Sequence, residues 1–298
     1  MLTVLAVCVS YAATAWAQGG LVLELRVTRP SVVVGEPVYV ILRMRNTGQT
    51  AQAVYPSVEL TSGTVTVGIV DPTGDTRPFL PLGRGEPDAA LAPLQPGEAL
   101  AAMEPVFFGG LGWTFKKPGK YGLFAVYAHR ADPELRSATA SLEVLAGDGS
   151  GESLVVVNDI RGEEAGKFLV WFGGDHLRQG ISRLEQIGSD NPQSPIGSYY
   201  YLAMASNWAA PFRDFVAGNV RAPRPTDALQ YLTRVDINEL PPGLVIRRYL
   251  VGARAAALTG NANESVQLLA TAQAMANADP LLFELFNTAI QDVAAGQP

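Results

Sequence analysis

The sequence predicts a two-part molecule, an all-β front half built as a β-sandwich and an all-α back half built from stacked helical hairpins. From Leu21 to about Leu145 the apolar residues alternate with period two in short runs, the mark of half-buried strands. From about Glu163 onward the apolar spacing changes to three and four, the mark of amphipathic helices. The second region also superposes on itself when shifted by 48 positions.

In the front half, Leu21, Leu23, Leu25 and Val27 share one face of a first strand, and Val38, Val40, Leu42 and Met44 one face of the next, with Arg43 and Arg45 opposite. Val65, Val67 and Ile69 form a third run. Tyr121, Leu123, Ala125 and Tyr127 form another, and Ala138, Ala140, Leu142 and Val144 the last. Between them stand Gly35-Glu36-Pro37, Asn46-Thr47-Gly48, Asp71-Pro72-Thr73-Gly74, Gln95-Pro96-Gly97-Glu98 and Lys117-Pro118-Gly119-Lys120. Proline presets φ and glycine or asparagine permits positive φ, as tight turns require. About seven strands in roughly 125 residues is the size of an immunoglobulin-like sandwich. Trp113 and Phe115 are expected in its core.

Gly35-Glu36-Pro37-Val38, Asn46-Thr47-Gly48, Leu94-Gln95-Pro96-Gly97-Glu98 and Pro118-Gly119-Lys120-Tyr121 resemble, in that order, the turn motifs of bacterial extracytoplasmic immunoglobulin-like modules. The same order is distantly similar to the intracellular proteinase inhibitor family, also a β-sandwich. The resemblance implies a fold, because its motifs specify turns and strand starts; no reactive-site residue carries across.

Ala146-Gly147-Asp148-Gly149-Ser150-Gly151 is small, polar and flexible. The expected organisation is therefore a sandwich over 18–147, a linker over 148–158 and a helical repeat domain over 159–298. The shift of 48 places Ile181 on Leu229, Leu184 on Leu232, Ile187 on Val235, Ile196 on Leu244, Tyr201 on Tyr249, Leu202 on Leu250 and Ala205 on Ala253. Each copy reads as helix, proline-containing turn, helix. A third pair is expected from Asn263 to about Asn277 and from Asp279 to about Val293, with Asp279 as N-cap and Pro280 in the first helical position. Hairpins of this kind cannot bury an apolar face alone and stack into solenoids. The Pro192 to Ala203 stretch resembles tetratricopeptide-like repeats of exported bacterial proteins. The insertion from Ala209 to Pro225 lengthens the period beyond the roughly 34 residues of that family.

Met1 to Ala17 is an apolar run closing on Ala15-Trp16-Ala17, the small-x-small pattern of a cleaved signal peptide, although no Lys or Arg precedes Arg26. The expected location is outside the cytoplasm: periplasm, cell surface or medium. Cys8, the only cysteine, lies within this leader, so the mature chain is expected to lack disulfides and cysteine-bound metal. With 22 Lys and Arg against 28 Asp and Glu there is no basic stripe for nucleic acid. Once the leader is removed, no integral membrane span is expected.

No catalytic, metal-ligating or cofactor-binding set emerges. His129 and His176 fall in different predicted halves, and Asp175 reads as the N-cap of a helix starting at His176. No Gly-x-Ser-x-Gly elbow or HExxH helix is present. Asp71 and Asp75 fit a hairpin turn, and Glu163-Glu164 the first turn of a helix. The candidate partner-binding residues are Tyr199, Tyr200 and Trp208, aromatics expected on an exposed solenoid face. The expectation is a non-enzymatic scaffold that binds a protein or peptide. An exported protease inhibitor and a self-associating subunit of a surface layer or filament stand as alternatives.

Overall fold

The computed structural model describes residues 20–85, 90–127, 135–147, 159–190, 194–214 and 218–296. The expected leader, His129 and the expected linker over 148–158 lie outside these residues.

The front half is β-rich. Its strands are β1 Leu21–Val27, β2 Ser31–Val33, β3 Tyr39–Asn46, β4 Gln52–Val54, β5 Val65–Val70, β6 Thr76–Pro78 and β7 Ala92–Leu94. They continue with β8 Ala99–Pro105, β9 Phe108–Gly109, β10 Gly112–Trp113, β11 Gly119–Tyr127, β12 Leu135–Arg136 and β13 Ala140–Leu145. One sheet orders β1-β3-β8 and a larger one β2-β13-β11-β5-β6, with β12 also on β11. The pairings are antiparallel except β13 with β2. The alternation places Leu23 opposite Met44, Leu25 opposite Leu42 and Leu123 opposite Ile69, and all six are buried. Slipping any pair by one residue would turn this set to the opposite face. Asp71 Oδ1 accepts the amides of Thr73 and Asp75, closing the β5–β6 hairpin as expected. Trp113 and Phe115 are buried.

The back half is helical: α1 Ile160–Trp171, α2 Arg178–Asp190, α3 Pro195–Ala209, α4 Pro225–Leu232, α5 Pro242–Leu258, α6 Ala262–Asn277 and α7 Pro280–Ala294. The two copies found by the shift of 48 are α2–α3 and α4–α5, and α6–α7 is the third pair. Asp279 accepts the amide of Leu281, with Pro280 opening α7. Within the insertion two short strands, β14 Phe212–Asp214 and β15 Asn219–Arg221, pair as a hairpin. No helix among the described residues is long and apolar enough to cross a membrane.

Two expectations require correction. Asp175 does not cap α2, which begins at Arg178. Glu164 of α1 does so instead, its Oε2 accepting the amides of Gln179 at 2.8 Å and Gly180 at 3.0 Å. Two α-helical backbones meet there: a Cβ on Gly180 would lie 2.3 Å from the Ala165 nitrogen, so only glycine fits.

The second correction concerns independence. The halves were expected to pack separately, yet one buried cluster runs from Leu23 through Val144 and on through Ala165, Tyr199 and Val245. Trp113 Nε1 donates to the Gly162 carbonyl at 3.0 Å, and the Phe108 ring fills the space that a Cβ on Gly166 would occupy. Arg43, on the face of β3 away from Leu42, is held bidentately by Glu284 of α7. On that face too, Met103 of β8 packs where Gly243 opens α5. The face that alternation assigns to solvent is thus covered by helices, a long-range contact that period two does not encode.

Candidate functional site

A cavity of about 540 Å³ opens where the end of α1, the end of α3 and the β14–β15 hairpin converge. Its walls are Trp171 to Gly174 and His176, then Ser206, Asn207 and Ala210, then Pro211, Phe212 and Arg213. It lies beside the insertion, outside the regular part of the repeat.

The first wall is shaped by the way α1 stops. Phe172 adopts φ 52°, the only non-glycine residue in the left-handed region among the described residues, and its amide closes on the Phe168 carbonyl. Gly173 follows, and a Cβ there would lie 2.6 Å from Asn207 Oδ1. This left-handed C-cap turns the chain sharply out of the helix. It leaves Trp171 at the rim with 52% of its surface exposed and Phe172 in the wall.

A polar bracket holds the three walls together. Asn207, itself buried, accepts the Gly174 amide at 3.3 Å and donates to Asp175 Oδ1 at 2.7 Å. Asp175 Oδ2 receives Arg221 Nε at 2.6 Å, and Arg221 Nη2 donates to the Asn207 carbonyl at 2.8 Å. The same guanidinium lies 4.2 Å from the Trp208 ring centroid and 5.9 Å from that of Phe212. Arg221 therefore ties the hairpin, the α3 end and the 174–175 turn together through charge-assisted hydrogen bonds and ring stacking.

The pocket can hold an apolar or aromatic group. His176 stacks on Phe212, centroids 6.2 Å apart, and makes no hydrogen bond among the described residues. Both Asp175 oxygens are taken by Asn207 and Arg221, and the Ser206 hydroxyl donates to the Leu202 carbonyl. Ser206 and His176 thus share a pocket without the hydrogen-bonded chain that activates a nucleophile. Among the described residues no three His, Cys, Asp or Glu side chains converge as a metal site requires.

Of the three aromatics singled out from sequence, Trp208 stays partly exposed, with Arg221 on one side and Arg224 at 4.5 Å. It lines a second hollow of about 280 Å³ with Arg224, Asp227, Gln230, Tyr231 and Arg234. Tyr199 and Tyr200 are corrected: both are buried and present no docking surface. The Tyr199 ring lies parallel to that of Tyr39, centroids 6.4 Å apart, and its hydroxyl reaches Glu36 Oε1 at 3.4 Å. Tyr200 packs among Phe168, Tyr201 and Tyr231. Trp171, Phe212, Arg213 and Arg221 were missed. For Phe212, Arg213 and Arg221 the sequence signal was the length of the 209–225 insertion; Trp171 had none.

A second polar cluster sits at the junction of the halves. Glu36, 3% exposed, pairs with Arg29 at 2.8 Å and accepts the Val33 amide at 3.1 Å; Arg29 also donates to the Glu239 carbonyl. Burial pushes the Glu36 carboxyl up to about 7, opposed by Arg29 and the Val33 amide. Arg29 thereby joins Glu36 of the front half to the Glu239 carbonyl of the back half, and the cluster acts as a joint between them.

No protein-family model matches the sequence, and no curated protein matches it. Solved structures do. A CARDB domain from Pyrococcus furiosus, in complex with two metal ions, aligns at 15% identity over 43% of this chain and 94% of its own, TM-score 0.25. The sporulation control protein Spo0M of Bacillus subtilis aligns at 9% identity over 52% of this chain and 55% of its own, TM-score 0.29. A Listeria innocua β-glucosidase aligns at 18% identity over 44% of this chain and 17% of its own, TM-score 0.25. At such TM-scores none of these likenesses assigns an activity or a ligand to this chain.

Proposed function

We propose that this chain is a non-enzymatic, exported binding or scaffold protein whose pocket at the end of α1 and α3 receives a side chain of a protein or peptide partner. In this reading the two sheets form an immunoglobulin-like sandwich that buttresses a tetratricopeptide-like array of hairpins, and residues 1–17 direct export. The observation that carries it is the bracketed pocket itself: about 540 Å³, with Trp171, Phe172, Pro211 and Phe212 in its walls and, among the described residues, no activated nucleophile beside His176. A cavity of this size accommodates one bulky side chain with part of its backbone, and an aromatic rim is what anchors a partner.

The test is to pan a random peptide library against the immobilised full chain, with the Trp171→Ala/Phe212→Ala double variant as control. Enrichment of sequences carrying a bulky apolar residue, lost in the variant, is expected. Equal enrichment on both proteins, or none on either, would overturn the reading.

A further inference from the structure

We propose that the second hollow, between the end of α3 and the outer side of α4, is a saccharide-binding site, independent of the reading given to the pocket above.

The hollow, about 280 Å³, is walled by Trp208, Arg224, Asp227, Gln230, Tyr231 and Arg234. Along α4 and its flanks Arg224, Asp227, Tyr231 and Arg234 recur every three or four residues, with Gln230 beside Tyr231, which puts them on one side of the helix. The Arg224 amide donates to the Trp208 carbonyl at 2.8 Å and so seats the start of α4 against the end of α3. The repeat does not ask for this set. The shift of 48 pairs Trp208 with Ala256 and Tyr231 with Arg183, so both rings are departures peculiar to this place.

The polar groups are held in position before any ligand arrives. The Arg224 guanidinium pairs with Asp227 at 2.5 Å and lies 4.5 Å from the Trp208 ring centroid. That of Arg234 donates to the Tyr201 hydroxyl at 2.5 Å and lies 4.0 Å from the centroid of the same ring. Tyr201 in turn stacks on Tyr231, centroids 6.4 Å apart. A guanidinium fixed in this way loses little freedom for each further hydrogen bond it makes. The exposed Gln230 side chain has no partner among the described residues.

The chemistry of these walls selects the ligand. Arginine brings planar N–H forks, Asp227 lone pairs, and Gln230 a donor and an acceptor together. Neighbouring hydroxyls of a sugar ring, each donor and acceptor at once, match planar groups of both kinds. Tyr231 stays partly exposed and offers a ring for the C–H face of a pyranose. Burial, and next the charge of Glu185, raise the Tyr231 hydroxyl, which therefore keeps its proton and can donate. Charge is balanced, Arg224 and Arg234 against Asp227 in the wall and Glu185 nearby, so the set favours a neutral ligand. A peptide backbone supplies one donor and one acceptor per residue, too sparse a pattern for four polar side chains in so small a space. The volume lies at the small end of ligand clefts and suits a sugar ring with part of the next.

The experiment is saturation-transfer NMR on the full chain with cellotriose, chitotriose and mannotriose. Transfer to ring protons of at least one is expected, with an affinity that holds steady as salt rises from about 50 to about 300 mM. Asp227→Asn/Gln230→Ala should weaken that affinity about ten-fold. Tyr231→Ala should abolish the transfer, and the double variant keeps the test open should Tyr231→Ala fail to fold. Trp171→Ala/Phe212→Ala should leave the transfer unchanged. No transfer to any of the three sugars, or equal affinity in the Asp227/Gln230 double variant, would overturn the site and leave the pocket reading standing. Binding that fades with salt would assign the hollow to an ionic ligand and overturn it as well. Transfer lost in Trp171→Ala/Phe212→Ala would move the sugar to the other pocket and sink both readings.

Discussion

Helices α3 and α5 hold the same place in successive copies of the helical repeat, yet α3 is enclosed while α5 keeps a charged flank. The shift of 48 sets Tyr199 against Arg247, Tyr200 against Arg248 and Tyr201 against Tyr249. Tyr199 and Tyr200 are buried, whereas Arg247, Arg248 and Tyr249 are partly exposed. Both first members face the same residue of the sheet: Tyr39 stacks on Tyr199 and bears on the charge of Arg247. Register decides which way a side chain points; the neighbours beyond the repeat decide whether it is covered. α3 has α1, α2, α4 and α5 around it, and the sheet as well.

The largest expected effect breaks this symmetry directly. Tyr199→Ala removes a buried ring from the junction and should cost about 3–5 kcal/mol. Arg247→Ala, its repeat counterpart, should change stability by less than about 1 kcal/mol. Urea unfolding of both variants checks this, and comparable losses would show that the repeat, not its surroundings, sets the energetics. Because the core is continuous, each curve should show one transition rather than two.

The next effect comes from the joint beneath Tyr199. Glu36 is raised from 4.5 to about 7 in the folded chain. The unfolded chain then binds fewer protons than the folded chain as pH climbs between these values. The contribution to stability is thus full below about pH 4.5, is lost as pH rises toward about 7, and is on the order of 3 kcal/mol. Glu104, also raised to about 7 by burial with Glu59 adding repulsion, titrates in the same window. Unfolding free energies at pH 5 and pH 8 should show the loss in the native chain and only a small one in Glu36→Gln/Glu104→Gln. A flat native profile would contradict the burial assigned to Glu36.

A smaller effect is expected across the other seam, where Trp113→Phe keeps an aromatic ring but removes the indole N–H donated to the Gly162 carbonyl, at about 1–2 kcal/mol. Smallest in stability is Trp171→Ala, at the exposed rim, within about 0.5 kcal/mol by thermal melting. The same variant should weaken peptide capture severely. A large fall in melting temperature would mean that Trp171 supports the fold instead.

Much of the fold was legible. Period two located the faces of β1, β3, β5, β11 and β13, and the shift of 48 located two helix pairs, because both signals are local and repeated. The site was less legible. Tyr199 and Tyr200 were read as surface on the assumption that a solenoid helix has an open side. Ile196 to Ala205 is apolar or small almost throughout, the composition of a helix covered on every side. Asp175 looked like a cap because it precedes a helix, but its partners Asn207 and Arg221 are 32 and 46 residues away. Pairings at such separations leave no periodic trace.

The Arg221 bracket has a consequence for how the pocket comes into being. Its walls arrive at three separate points along the chain, and the guanidinium that joins them belongs to the last, so nothing shorter than the stretch from α1 through β15 contains a complete mouth. A nascent or clipped chain that stops short of β15 therefore lacks the closed cavity, which exists only once Arg221 has been made and has docked on Asp175 and Asn207.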